Sequence, residues 1–213
     1  MNNSCLMISA LLVIAAAAFA QEPAQTIKLP PPDKTGGKPL MQVLNERHST
    51  RSFADKKLTG ELLGNLCWAA FGINREDGRR TAPSARNWQE ISLYLAMEEG
   101  LYLYDATEHA LKLIVAQDLR KLTGMQEFVE KAPLNIVYVA DTQKTGARSG
   151  DDAALYLGAD CGFIAENVYL YCTSAGLATV VRGMVGREEL APAMKLEAHQ
   201  KILLSQTVGF PQE

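Results

Sequence analysis

From Pro39 onward the chain moves between two hydrophobic periods. Leu40, Val43 and Leu44 recur at helical spacing behind Pro39, whose fixed φ suits a first turn. This predicts a helix that ends near Arg47. A second helix is predicted after Thr59, an N-cap residue followed by Glu61 in the first turn. Its apolar positions are Leu62, Leu63, Leu66, Cys67, Ala70 and Phe71, and Gly72 stops it. Asn74–Trp88 is polar and irregular, with six charged residues. The period then changes to two. Ile91, Leu93, Leu95 and Met97 alternate strictly within Glu90–Glu98, the pattern of a strand. Gly100–Asp105 and Ala110–Val115 read as a hairpin pair. Short helices are predicted around Asp118–Leu122 and Gln126–Lys131, followed by a buried, β-branched strand at Leu134–Ala140.

Asp151–Ser174 is the longest helical pattern. Ala154, Leu157, Gly158, Cys161, Ile164, Ala165, Val168, Tyr171 and Cys172 follow one face. The opposite side is also apolar, so burial on more than one side is expected, as in a central helix or a subunit interface. Gly176-Leu177 ends this helix. A strand at Ala178–Arg182, a short helix at Glu188–Lys195 and a last strand at Lys201–Val208 follow, closed by Gly209-Phe210-Pro211. Helices and hairpin strands mix without βαβ repetition, which favours an α+β fold over a doubly wound sheet.

Composition adds bounds. The 213 residues are 47% apolar and 21% charged, with a formal net charge of −3, enough for one domain with a real core. That balance excludes a strongly basic nucleic-acid binder. Three segments are expected: 1–20, 21–38 and 39–213. Leu6–Phe19 is an uncharged apolar run ending in Ala18-Phe19-Ala20, the pattern of a secretory signal peptide with a small-residue cleavage site. It is short for a bilayer span. The stretch before it carries no Lys or Arg, which leaves an uncleaved anchor as the alternative. An exported, periplasmic protein with no stable membrane insertion after cleavage is the expectation. Residues 21–38, with Leu29-Pro30-Pro31-Pro32 and Gly36-Gly37, read as a linker that could tether the domain or lie along a partner.

Cleavage would leave Cys67, Cys161 and Cys172, an odd number. Cys161 and Cys172 lie about 16 Å apart on one helix and cannot bridge. Buried, structural thiols are expected. His48, His109 and His199 are scattered and there is no CxxC, so no metal site is expected.

Three segments carry candidate chemistry. Arg47-His48-Ser49-Thr50-Arg51 can give a phosphate several charge-assisted hydrogen bonds, with Arg51 as a second cation nearby. On spacing alone, a solvated basic helix end suited to the dipole is the better reading. Ala82-Pro83-Ser84-Ala85-Arg86-Asn87-Trp88-Gln89 is a small-residue turn that lets backbone approach a ligand, and Asn87 both donates and accepts. Alone it is an ordinary loop. Asp160-Cys161-Gly162 puts a glycine inside a helix, which costs about 1 kcal/mol relative to alanine and marks close packing against a helix or a flat ligand.

In this order and spacing the segments resemble the nitroreductase family of FMN enzymes. The resemblance rests on Arg47–Arg51 after the first helix, Pro83–Gln89 before the first strand of the sheet, Asp160–Gly162 in the long helix and Ser174–Thr179 at its end. It covers about Pro39 to Pro211. It implies a mainly antiparallel central sheet flanked by helices, with a long central helix, in a homodimer that binds FMN at its interface. On that resemblance Arg47, His48 and Ser49 match phosphate and ribityl anchors, and Arg51 the cation beside the reduced ring. Pro83, Ser84 and Ala85 match ring contacts, and Asn87 a hydrogen bond to the pyrimidine edge. Cys161 and Gly162 match backbone N–H groups near the hydride-accepting nitrogen. Val181, Arg182 and Gly183 match a strand edge near the flavin. Relatives often add a Lys or Arg after the final Gly-x-Pro. Here the chain stops at Glu213, so weaker FMN binding, or compensation by Arg182 or a partner residue, is implied. The implied activity is ping-pong transfer from an NAD(P)H-like small-molecule donor to a nitroaromatic, quinone or similar acceptor. A flavin-binding protein with little turnover and a flavin-free envelope domain that binds a partner through its Pro-rich arm stay open.

Overall fold

The computed structural model describes residues 25–146 and 150–212, so the expected signal segment at 1–20 lies outside the described residues. Its strands are β1 (Thr26–Lys28), β2 (Ile91–Met97), β3 (Gly100–Asp105), β4 (Ala110–Val115), β5 (Leu134–Asp141), β6 (Ala178–Arg182) and β7 (Gln200–Gly209). Its α-helices are α1 (Leu40–Glu46), α2 (Gly60–Phe71), α3 (Phe128–Lys131), α4 (Gly150–Ser174) and α5 (Arg187–Ala193). The strands form one sheet in the order β1-β4-β3-β2-β5-β7-β6. Every pairing in it is antiparallel. The expected α+β class is the observed one.

Local chemistry explains most boundaries. Thr59 caps α2, its hydroxyl accepting from the Leu62 N–H at 3.2 Å. Pro39 stands one step before the predicted first turn, as the extended residue ahead of α1. Gly72 ends α2 in extended rather than left-handed backbone (φ −75°, ψ 163°). Its glycine is needed for space, because a Cβ there would come within 2.4 Å of Trp68 Cδ1. The expected helix around Asp118–Leu122 is a 3-10 turn at Arg120–Thr123.

The sheet has a core on each face. Ile91, Leu93 and Leu95 pack with residues of α2 and α4. Tyr94 and Ala96, the alternate positions of β2, pack with Leu119, Leu190 and Met194 on the other face. Strict alternation therefore marks two cores here rather than core against solvent. The intervening side chains are apolar enough to be buried as well.

α4 crosses the first face and buries Leu157, Cys161, Ile164, Ala165, Val168 and Cys172. Its outer side is exposed within the single chain. Leu155 and Phe163 are 68% and 48% exposed. A Cβ built at Gly158 or Gly162 would meet nothing within 4 Å. Leu40, Met41 and Leu44 of α1 are exposed as well, and α1 packs on α4. A single chain leaves this apolar surface uncovered.

Cys67, Cys161 and Cys172 are free and buried, as expected. Burial pushes all three thiols up, Cys161 to about 12 with help from the Glu90 charge, so none is a thiolate at neutral pH.

The stretch expected as a linker is, from Gln25 on, laid against the domain. β1 pairs with β4 as an edge strand. The Leu29 N–H donates to His109 O at 3.0 Å, and His109 Nε2 donates to Pro30 O at 2.9 Å. Further on, Asp33 N–H bonds Asn65 Oδ1 at 2.7 Å and Lys38 N–H bonds Ser174 Oγ at 2.8 Å. Leu29 supplies a buried apolar anchor, and the prolines after it have no N–H with which to continue the strand.

Candidate functional site

The Arg47–Arg51 segment leaves α1 and runs onto α4 and β6. Arg47 is the extended residue after α1, its N–H bonded to Val43 O. Its guanidinium lies 5.3 Å from the Tyr169 ring centroid, and its Nε is 3.9 Å from Glu166 Oε1. A half-exposed pair at that distance is weak, so the guanidinium remains available to a stronger anion. His48 is exposed, and its Nδ1 donates to Glu46 O at 2.7 Å. That bond leaves Nε2 for a ligand, as a donor only when the ring carries its second proton. The Tyr169 hydroxyl accepts from the Val181 N–H at 3.0 Å and shares a hydrogen bond with the Ser49 hydroxyl at 2.8 Å. Thr50 N–H bonds Thr179 O at 3.0 Å. Tyr169 thus joins Arg47, Ser49 and Val181. Sequence reasoning missed it, because a tyrosine beside Val168 fits the apolar stripe and only its polar tip hints otherwise.

The Pro83–Gln89 turn is held to the opposite side of α4. Ala85 N–H donates to Asp160 Oδ2 at 2.8 Å. Ser84 Oγ accepts from Gln89 N–H at 3.0 Å, and Gln89 Nε2 donates to Asn87 Oδ1 at 3.0 Å. Arg86, Asn87 and Gln89 all have left-handed backbone, with φ of 51°, 58° and 48°. Such conformations cost on the order of 1 kcal/mol each and persist only where the surroundings impose them. Here the Asp160, Ser84 and Gln89 bonds do so.

Beneath the turn lie two carboxyls. Asp160 is buried. Glu90 is 0% exposed, and neither of its carboxyl oxygens has a hydrogen-bond partner among the described residues. Burial first, then the neighbouring Asp160, push Glu90 up to about 7 from an ordinary 4.5, against the pull of its own backbone N–H and a smaller one from Lys144. The sequence showed Glu90 only as the head of a strand.

Asp160 and Tyr169 are nine residues apart on α4, about 13.5 Å along the axis. At about 100° per residue they point to opposite sides of the helix, and Gly162, on the Tyr169 side, faces open space. The amides of Cys161 and Gly162 do not play the expected part. Both residues lie mid-helix, where N–H groups donate to carbonyls one turn back. The Cys161 side chain points into the core. What position 162 contributes is bare surface.

Arg182 is also corrected. Neighbouring residues of β6 point to opposite sides of the sheet, so the Val181 side chain packs on the α4 side and Arg182 on the far side. Arg182 is 5% exposed and lies over the Phe128 ring. Its Nε donates to Thr207 Oγ1, Nη1 to Thr123 O, and Nη2 to both Asn135 Oδ1 and Ser205 Oγ, at 2.9–3.1 Å. No carboxylate among the described residues pairs with it, and burial pushes it down to about 10. It is a structural cation and cannot compensate for a phosphate ligand elsewhere. Gly183 is exposed just beyond it.

Arg51 lies apart from this helix face, in a cleft of about 570 Å³ with Phe53, Gln126, Phe128 and Lys131. Pro83, Ser84 and Asn87 line another of about 500 Å³ with Arg75, Arg79, Arg80 and Arg86. The structure therefore gathers Arg47, Ser49 and Val181 on the Tyr169 side of α4, with Gly162, and holds the turn on the opposite side, at Asp160. Arg51 and Arg182 are not brought to that face.

Comparison with known proteins fits this geometry. The family model "Nitroreductase family" matches residues 44–210. A protein of Methanocaldococcus jannaschii described as a nitroreductase is 30% identical over 175 residues, covering 78% of this chain and 88% of its own length. A solved structure from Ralstonia eutropha JMP134, also described as a nitroreductase, superposes with a TM-score of 0.84 at 44% identity, covering 88% of this chain and 90% of that one. One from Anabaena variabilis has a TM-score of 0.76 at 21% identity, covering 89% of this chain and 42% of that one, and speaks to the fold alone. With its fold, the order of its segments and these relatives in agreement, the chain belongs to the nitroreductase family of oxidoreductases.

Proposed function

We propose that this oxidoreductase is FMN-dependent and acts as a homodimer. The observation that carries the reading is the open face of α4. A cationic, hydroxyl-bearing group (Arg47, His48, Ser49) stands there beside side-chain-free Gly162, and the small-residue turn (Pro83, Ser84, Ala85, Asn87) lies on the opposite side of the helix, so the second copy of the dimer would present its turn to this face. That donor set suits a molecule with a phosphate at one end and a planar ring at the other. In this reading Arg47, His48 and Ser49 hold the phosphate, and Ser84, Ala85 and Asn87 face the ring with Gly162. When bound, FMN supplies two-electron transfer from a reduced donor to a nitroaromatic, quinone or similar acceptor.

The chain's own residues supply orientation. Tyr169 fixes the Ser49 hydroxyl, and Asp160 fixes the turn through the Ala85 amide. The uncovered Leu155, Phe163, Leu40, Met41 and Leu44 support a second copy packed on this side, which would also shield the site from water. A partner could bring Arg51 to the cofactor, a role that a single chain does not give it. Export to the periplasm belongs to the same proposal. Among the described residues no helix is long and apolar enough to cross a membrane.

The test is the absorbance spectrum of purified protein with added FMN, followed by anaerobic NADH, NADPH or a quinol. A bound-flavin band that one of these donors bleaches is expected. No band, even with added FMN, overturns the reading, and a band that no donor bleaches leaves a flavin-binding protein without turnover. Arg47→Ala should weaken FMN at least tenfold, the worth of one charge-assisted hydrogen bond. An unchanged affinity in a fluorescence titration would remove the phosphate assignment. Arg51→Ala should lower the flavin midpoint potential more than the affinity, and a spectroelectrochemical titration without a shift refutes that role.

A further inference from the structure

The cleft beside the turn is lined by four arginines, Arg75, Arg79, Arg80 and Arg86, with Ala82, Pro83, Ser84 and Asn87, and by no carboxylate. It is an assembled feature. Residues 74–79 form a tight loop closed by the Ile73–Arg80 bridge and by the Asn74 N–H bond to Arg79 O. Arg80 is its post. Nη1 donates to Phe71 O at 3.0 Å, Nε donates to Gln89 Oε1 at 2.8 Å, and the guanidinium lies over the Phe71 ring. Gln89 Nε2 in turn reaches Gly78 O and Asn87 Oδ1, so loop and turn are one unit. Arg75 Nη2 bonds Arg80 O.

The charges here are poorly answered. Asp77 reaches only Arg79, at 3.5 Å on the surface. Arg80 and Arg86 have no carboxylate partner among the described residues. Burial lowers Arg80 from its ordinary value, and Tyr104 and Asp105 offset this only in part. With Glu76 and Asp77 in the same loop the segment 75–86 keeps a net charge of +2, and an anion placed among the four arginines relieves their repulsion.

We propose that this cleft is an oxyanion subsite that holds a phosphate or carboxylate of the redox substrate next to the Pro83–Asn87 turn. That the anion belongs to a redox substrate rests on the flavin reading, whereas the anion site itself does not. The guanidinium of Arg86, on left-handed backbone at the mouth, and that of Arg79 clamp the oxyanion, while Arg80 supplies fixed charge behind them. A phosphate-bearing donor and a carboxylate-bearing acceptor present the same chemistry.

Calorimetric titration of the purified protein, with and without FMN, tests this using inorganic pyrophosphate and 4-nitrobenzoate, with neutral 4-nitrobenzyl alcohol as control. Binding of at least one anion, weakened by added salt and weakened tenfold or more in Arg79→Gln/Arg86→Gln, is expected. Pyrophosphate alone assigns the site to a phosphate-bearing donor, and nitrobenzoate alone to a carboxylated acceptor. The proposal is overturned if neither anion binds, if the double variant binds them unchanged, or if the alcohol binds as tightly. Displacement of pyrophosphate by FMN overturns it too, since the cleft would then be the flavin's own phosphate site. Anion binding without any flavin uptake leaves this site standing while the flavin reading falls. Flavin uptake without anion binding does the reverse.

Discussion

Glu90→Gln is expected to raise the melting temperature above pH 7, by on the order of 5 °C, and to flatten the dependence of stability on pH. The sign follows from the raised carboxyl. Glu90 titrates near 4.5 in the unfolded chain and near 7 in the folded one. Folding therefore favours its protonated form. The wild type bears no penalty below about 4.5, loses stability as the pH rises through 7, and is level above that. The gap corresponds to about 3 kcal/mol at most. The groups facing Glu90 are Asp160 and Cys161 on α4 and Lys144 beyond β5; the backbone N–H of Glu90 itself and, less strongly, Lys144 favour the charge. Glutamine keeps the shape and removes the titration. Thermal melts of both proteins at pH 5, 6, 7 and 8 should converge at pH 5 and separate at pH 8. Parallel curves would mean that Glu90 is solvated and ordinary.

Arg182→Met should destabilise the fold by on the order of 3–5 kcal/mol, because Thr207, Thr123, Asn135 and Ser205 would lose a shared donor in a buried place. Arg182→Lys should recover little, since one ammonium cannot span the same fork of acceptors. FMN affinity of the protein that remains folded should hold steady. Urea denaturation and flavin titration of both variants decide the matter. A variant of wild-type stability with weakened FMN would return Arg182 to the cofactor site and defeat the structural account.

Arg182 also shows where sequence reading stops. Periodicity reports a residue's own element, and here it located α2, α4, β5 and β6 closely, because their apolar runs are long and well bounded. It does not report which side of the sheet a strand offers to a given helix. Arg182 and Val181 are adjacent in sequence and similar in promise, yet the pairing of β6 with β7 sends one to each face. Asp160 could be seen as the head of a motif, but its bond to Ala85 spans 75 positions, and Glu90 beside it carries no local signal. The arm at Gln25–Lys38 looked like a linker because prolines and glycines dominate it. Two hydrogen bonds with His109 and the burial of Leu29 outweigh that composition. Arg47–Arg51 was legible as a segment, while its division between α4 and a separate cleft was not.

Gly158 and Gly162 give α4 a property of a different kind. A helix without side chains at two positions one turn apart offers a shelf at the level of its own backbone. A planar group can lie flat on such a shelf at contact distance, whereas one added methyl would lift it by the methyl's own thickness. Inside a single chain both positions have room for that methyl. The helix would gain about 1 kcal/mol from each. The smoothness of the shelf is thus maintained at the helix's own expense, and it works as a gauge of how thin an occupant must be.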